Sequence, residues 1–270
     1  MVAPRDDETA TIDRWAFDYV ASTSLAHKIA PPTLPRAWAA SPTSIRLATP
    51  GRPPELRVED RAHKTRGLTT PLGRARALHT FWHHELQAAE LMLWAALAFA
   101  DAPVEFRDGL FRIALDEIRH MAIYQAQIER LGHRVGEFSV RDWFWQRVPA
   151  CEDAGAFCAV MGLGLESANL DHSATYALKF RAVGDEEGAR AQELVGLEEI
   201  GHARFGATWF ARFTGALDFD AWARKLPAPL SPMLMRGRPM QRIARKKAGQ
   251  SDAFLDELER WQPTDASPGT

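Results

Sequence analysis

The chain has only two cysteines in 270 residues and no excess of either charge. Thirty-three Lys and Arg stand against 35 Asp and Glu, a formal net charge of −2. Two cysteines cannot build a disulfide framework, and neither Cys151 nor Cys158 sits in a zinc-binding spacing. The balanced charge argues against a broad nucleic-acid-binding surface. Long hydrophobic runs are missing too. The longest, Leu91 to Ala100, has ten residues, about half of what a bilayer-spanning helix needs. The N-terminal stretch carries acids where a signal peptide needs an apolar core. These absences lead to the expectation of a soluble, cytoplasmic protein with no membrane partner.

Proline is unevenly spread. Nine of the 17 prolines fall in residues 1–72, and between 73 and 213 only Pro103 and Pro149 occur. Proline fixes φ and removes a backbone donor, so residues 1–72 are expected to form an extended Pro-rich arm with one short helix around Ile12 to Thr23. Trp15, Phe17 and Trp38 are too apolar for a free tail, so the arm should dock on the main body. Residues 73–215 are rich in Ala, Leu and aromatics at helical spacing, and no segment alternates as a strand would. Four helices are expected there. Helix A runs from about Gly73 to Ala100, and helix B from about Val104 to Leu131 with Gly132 as its C-cap. Helix C runs from about Ala150 to Ala182, and helix D from an Asp185 cap to about Phe213. Residues 216–270 should form a C-terminal extension of short helices, the most regular from Ser251 to Trp261. The fold class is all-α, with a four-helix bundle at its centre. The linker from His133 to Pro149 is long enough for a crossover: about 56 Å of extended chain against about 45 Å of helix, which would leave B and C parallel.

A repeated pattern carries the chemistry. Helix B holds Glu117-x-x-His120 and helix D holds Glu199-x-x-His202. Residues i and i+3 share a helix face, and each pair lies in an apolar stripe, through Leu110, Ile113 and Ile128 on B and through Val195, Ala203 and Phe210 on D. A carboxylate buried there without a partner is costly. Helix A adds Glu85 and helix C adds Glu166, so that Glu85 precedes Glu117 by 32 residues and Glu166 precedes Glu199 by 33. Counted from the intervening turns, the acids of each hairpin come level within about one turn. Four glutamates bring a charge of −4, which two divalent cations neutralise. This is the ligand pattern of dinuclear iron or manganese carboxylate bundles. Zinc fits less well, because it prefers four ligands with more His or Cys. The expected cofactor is two iron ions, with manganese or a mixed manganese–iron pair as the alternative.

The stretches GRPPELRVED (51–60), GRARALHTFWHHELQAAELML (73–93), DEIRHM (116–121), LESANLD (165–171), EEIGHARFGATWF (198–210) and the tail around Lys247-Ala-Gly249 resemble the ferritin-like superfamily. More closely, the chain resembles a bacterial ferritin-like family catalogued only as a domain of unknown function, over most of residues 50 to 260. The resemblance implies Glu85, Glu117, His120, Glu166, Glu199 and His202 as the six metal ligands, and iron and oxygen chemistry without a named substrate. After Glu166 the chain departs from the family pattern, reading Asn169-Leu170-Asp171-His172-Ser173 in place of Gly-Leu-Asp followed by Pro.

Other residues are placed around this set. Asp116 and Glu198 each precede a ligand Glu, and either hydrogen-bond metal-bound histidines of the opposite helix or stand as solvated acids beside the stripe. Glu90 and Asp171 each follow a ligand Glu by five residues, about 140° away from its face, and should support the site by bonding to a neighbouring element. Tyr124 lies on the ligand face, as a packed core side chain or a redox-active phenol. His79, His83 and His84 read as neighbours of the site or surface groups, and the two cysteines as buried apolar groups. The segment Arg236 to Lys247 holds six basic residues, a solvated face pairing with the acids of 252–259 or a site for an anion or tRNA.

The expected function is an O2-activating dinuclear iron oxidoreductase, a hydroxylase (monooxygenase) or oxidase, acting on a small organic substrate with an electron-donor protein as a further partner. The alternatives are an iron-handling or peroxide-scavenging protein, including the di-manganese catalase type, or a tRNA-modifying hydroxylase. Nucleic acid is not the expected partner. Both Glu-x-x-His motifs are intact, and the arm and tail would obstruct shell packing, so a monomer or small homo-oligomer is expected rather than a storage shell.

Overall fold

The long segments of helical periodicity form helices and, among the described residues, no strand is present beyond a single bridge between Val58 and Val140. The structure is a computed structural model that describes residues 11–60 and 67–263. The first ten residues and residues 61–66 of the expected arm, and the last seven of the expected extension, lie outside the described residues. The chain divides into two compact units, residues 1–149 and 150–270.

In unit 1, helix α1 (Ile12–Ala21) starts at an N-cap on Thr11 and is followed by a short α2 (Leu25–Ile29), which the proline count did not suggest. Helix α3 (Pro71–Ala98) begins two residues before the expected start. Pro71 opens the helix instead of breaking it, because the first turn needs no donor there, and Thr70 accepts a hydrogen bond from Gly73 N–H. Helix α4 (Val104–Arg130) packs along α3 as an antiparallel hairpin. From Glu85 to Ala98 every residue of α3 is buried, so this stretch needs cover on all its faces. The arm supplies part of that cover. Trp15 and Tyr19 of α1 are buried, Ile45 N–H bonds Leu97 O, and Trp94 Nε1 donates to Leu47 O. Asp13 and Trp38 hold Arg107 of α4 between an ion pair and a ring face. The linker after α4 climbs α3: Gly136 bonds His79, Arg141 O and Phe144 N–H bond Gln87, and Trp145 bonds Glu90.

Unit 2 corrects the expectation of one unbroken helix C. Helix α5 (Ala154–Val160) starts at an Asp153 N-cap, four residues later than expected. It runs into a π-helical turn, Met161–Glu166, and then into α6 (Ser167–Ala182). Helix α7 (Glu186–Thr214) has the expected Asp185 cap and ends at Gly215 in the left-handed region. The wide turn abuts α7. A Cβ on Gly162 would come within 2.3 Å of the Gly206 Cα, so only glycine fits on either side. The C-terminal part adds α8 (Phe219–Lys225), a 3₁₀ turn at Pro232–Met235, α9 (Arg242–Lys247) and α10 (Asp252–Arg260), the last capped by Ser251 as expected. Phe219, Trp222 and Phe254 cluster under α8 and α10, and Trp222 Nε1 donates to Ala159 O. Among the described residues no helix is long and apolar enough to cross a membrane.

Candidate metal centre

Helix α3 brings Glu85, and α4 brings Glu117 and His120; both glutamates lie 16 residues from Asp101 in the intervening loop, and all three side chains face inward because their stripe is apolar. In unit 1 these three side chains are buried, and each turns a ligand atom to within 4.8 Å of the others. His120 Nδ1 lies 3.1 Å from Glu117 Oε2. Unit 2 repeats the arrangement. Glu166 is the last residue of the π turn, and its ligand atom meets those of Glu199 and His202 from α7, again all within 4.8 Å and all buried. His202 Nδ1 lies 3.1 Å from Glu199 Oε2, the same separation as in unit 1. Each triad offers two carboxylates and one imidazole, with no thiolate. Such a donor set could hold a metal ion.

The flanking residues fall differently. Asp116 forms an exposed ion pair with Arg119 at 3.2 Å, and Glu198 is half-buried. Tyr124 is buried, its ring 5.8 Å from that of Phe81. Glu90 is fully buried and faces the arm and linker. It accepts from Lys28 Nζ at 2.8 Å, from both Arg52 terminal nitrogens at 2.7 and 2.9 Å, and from Trp145 Nε1 at 2.8 Å. Arg52 also binds Asp142, which His83 Nε2 meets at 3.1 Å. Burial works against both charges of the Glu90–Lys28 pair. It depresses the Lys28 ammonium outright, whereas the Arg52 and Lys28 cations overcome it and hold the Glu90 carboxyl below its usual range. Burial also opposes the Asp142 carboxylate, but hydrogen bonds from His83 and Arg52 bring it down to about 2.

Asp171, the counterpart in unit 2, is also fully buried. It pairs with Arg245 Nη2 at 2.7 Å and accepts from the backbone N–H groups of Gly237 and Gln241 at 2.8 and 2.6 Å. Arg245 is one of the six residues of the basic segment. Of the others, Arg242 pairs with Asp252, Asp256 and Glu259, and Lys246 with Asp252, which is the solvated-face reading of that segment. Both cysteines are buried, and no disulfide joins them. Sequence reasoning picked out Glu90 and Asp171 but missed their cations, Lys28, Arg52 and Arg245. Arg52 lies in the 51–60 stretch and Arg245 in the basic segment, but no local pattern pairs Arg52 or Lys28 with Glu90 across 38 or 62 residues.

A family model described as "Protein of unknown function (DUF455)" matches residues 7–256. An "Uncharacterized protein" of Haemophilus influenzae is 27% identical over 164 residues, 58% of this chain and 57% of that protein. The chain thus spans a little over half the length of that relative. No solved structure matches.

Proposed function

The chain belongs to the DUF455 family, and from its two triads we propose a dinuclear, O2-activating oxidoreductase built on a ferritin-like four-helix bundle of α3, α4, α5–α6 and α7. In this reading Glu85, Glu117 and His120 together with Glu166, Glu199 and His202 hold two iron ions. The observation that carries it is the duplication: a buried Glu, Glu, His triad occurs twice, with the same 3.1 Å Glu–His separation each time. Four buried carboxylates are neutralised by two divalent cations and by no smaller number, which favours a pair of ions over one.

Two ferrous ions, when bound, supply the electrons that reduce O2 and so permit hydroxylation or oxidation of an organic substrate. The chain's own part is to hold and to exclude. The Glu-x-x-His spacing fixes each imidazole beside its carboxylate, and the surrounding apolar stripe keeps water away from the ligand atoms. Two complete triads retain their ions as a cofactor, which separates this reading from an iron store.

The test is anaerobic loading with Fe(II) followed by exposure to O2. Two irons per chain with an oxygen-dependent change in absorbance and Mössbauer spectra are expected. Two bound ions that stay inert to O2 but turn over peroxide would give the protein to the peroxide-scavenging alternative. Uptake of tens of irons per chain would make it a store.

A further inference from the structure

The tail stretch Lys247-Ala-Gly249, singled out in the sequence but without a part in the metal set, ends α9 against α6 and α7, where Ala248 packs on Leu170 and Ala203 and Lys247 O accepts from Arg204. Gly249 adopts a φ of +96°, and this left-handed turn lets Gln250 N–H close on Arg245 O at 3.1 Å while the Gln250 side chain points inward. There Gln250 is buried, and both ends of its amide are engaged. Nε2 donates to Ser167 Oγ at 2.7 Å, and Oε1 accepts from Arg245 Nη1 at 3.3 Å.

Ser167 follows Glu166 directly. Its backbone N–H turns to Gly164 O, and its hydroxyl donates to Gly162 O at 3.1 Å. A π turn is rare and appears mostly as a single-turn bulge inside an α-helix, frequently at a functional site. Here the surroundings are identifiable. A relay runs from Arg245, itself locked to Asp171, through Gln250 and Ser167 to the carbonyl of Gly162. Opposite it, Gly206 of α7 closes on Gly162.

We propose that Ser167 and Gln250 are positioning residues for Glu166: the C-terminal turn sets the π segment whose last residue is the unit 2 ligand. The inference rests on the reading of Glu166 as a ligand, and on nothing in unit 1. It gives the tail a part in the metal site without touching a metal. Without the relay the segment can relax toward regular α-helix, and that change of register rotates Glu166 away from Glu199 and His202.

The experiment loads the full-length protein with Co(II) and follows its visible absorption, with amide hydrogen exchange over residues 162–168 of the metal-free chain as a second arm. Wild type should bind two cobalt ions. Ser167→Ala and Gln250→Ala should bind one of them about tenfold more weakly and with an altered spectrum, and the 162–168 amides should exchange several-fold faster. Ser167→Thr, which keeps the hydroxyl, should restore both. Gln250→Glu removes the donor while leaving Arg245 an acceptor, and serves if the alanine variant does not fold. Arg242→Ala, on the partly exposed side of α9, should change neither. Wild-type affinity, spectrum and exchange in a folded Gln250 variant would overturn the proposal. Failure of wild type to bind two cobalt ions would instead overturn the dinuclear reading, and the exchange arm would still decide whether Gln250 holds the segment.

Discussion

In unit 1, Glu85 sits inside an uninterrupted helix of 28 residues, whereas its counterpart Glu166 in unit 2 ends a π turn between helices of 7 and 16. Both meet a Glu-x-x-His pair of the same geometry, and both are followed five residues later by a buried acid held by an Arg from a flanking segment. The same triad is thus reached by two kinds of support. Unit 1 uses a regular helix buried on all sides and a cation cluster supplied by the arm. Unit 2 uses an irregular turn and side chains supplied by the tail. A ligand triad therefore constrains where three side chains meet and leaves the backbone route to that point open.

The sharpest way to break the comparison is to remove the paired ligands. Glu85→Ala and Glu166→Ala should each lower bound metal from two ions toward one per chain, measured by elemental analysis of the loaded protein. Glu90→Ala should keep two wherever it folds, since Glu90 is engaged by Lys28, Arg52 and Trp145. Retention of two ions by Glu85→Ala, with loss in Glu90→Ala, would exchange their roles.

The next effect is on stability. Removing one member of a buried ion pair strands the other charge and costs about 3–5 kcal/mol. Glu90→Ala strands two cations, Lys28 and Arg52, although Asp142 still serves Arg52. Asp171→Ala strands Arg245 and two backbone donors. Urea unfolding should therefore show Glu90→Ala as the more damaging of the two. The reverse order would mean that the tail, not the arm, is the stronger clamp.

These pairs also mark where the sequence stops being readable. Helices α3, α4 and α7, their caps at Asp185 and Gly132, and all six candidate ligands follow from local periodicity and spacing, because a helix repeats its face every three or four residues. Glu90 and Asp171 stood out only by symmetry with the ligands. Their partners lie 38 to 74 residues away, and no local pattern encodes such a distance. The π turn was hidden for a different reason. It keeps the composition of a buried helix, and its one hint was the pair Gly162 and Gly164 within five residues of Glu166, each unfavourable by about 1 kcal/mol in a plain helix interior.

A smaller, pH-dependent effect lies in unit 1. His79 is buried and accepts the Gly136 N–H through Nε2, which requires the neutral ring. Burial, with His83 nearby, lowers its pKa to about 4 from an ordinary 6.5. The unfolded chain binds a proton below 6.5 that the folded one refuses until about 4, so stability falls as pH drops through that window, by on the order of 3 kcal/mol in full. Comparing urea midpoints at pH 7 and pH 5, His79→Gln should lose less stability than wild type. Equal losses would place the acid sensitivity elsewhere. Below pH 4 the depressed Asp142 and Glu90 carboxyls act with the same sign, and the Asp142 contribution disappears as pH falls toward about 2.

The smallest expected effect lies on α9, where Arg242 and Arg245 stand three residues apart. Arg242 has three acidic partners, Asp252, Asp256 and Glu259, against one for Arg245, so a count of ion pairs ranks it first. The surroundings reverse that ranking. All of the Arg242 partners are more than half exposed, where water screens the charges and holding long side chains in place costs entropy. Arg245 and Asp171 are both fully buried, so loss of either leaves a charge with no water to turn to. Arg242→Ala should therefore shift the melting temperature by no more than about 2–3 °C, and by less in high salt. Arg245→Ala should lower it several times further and leave that drop nearly insensitive to salt. Equal shifts for the two would mean that the α9–α10 surface pairing, and not the buried Asp171 contact, keeps the tail in place against the Glu166 turn.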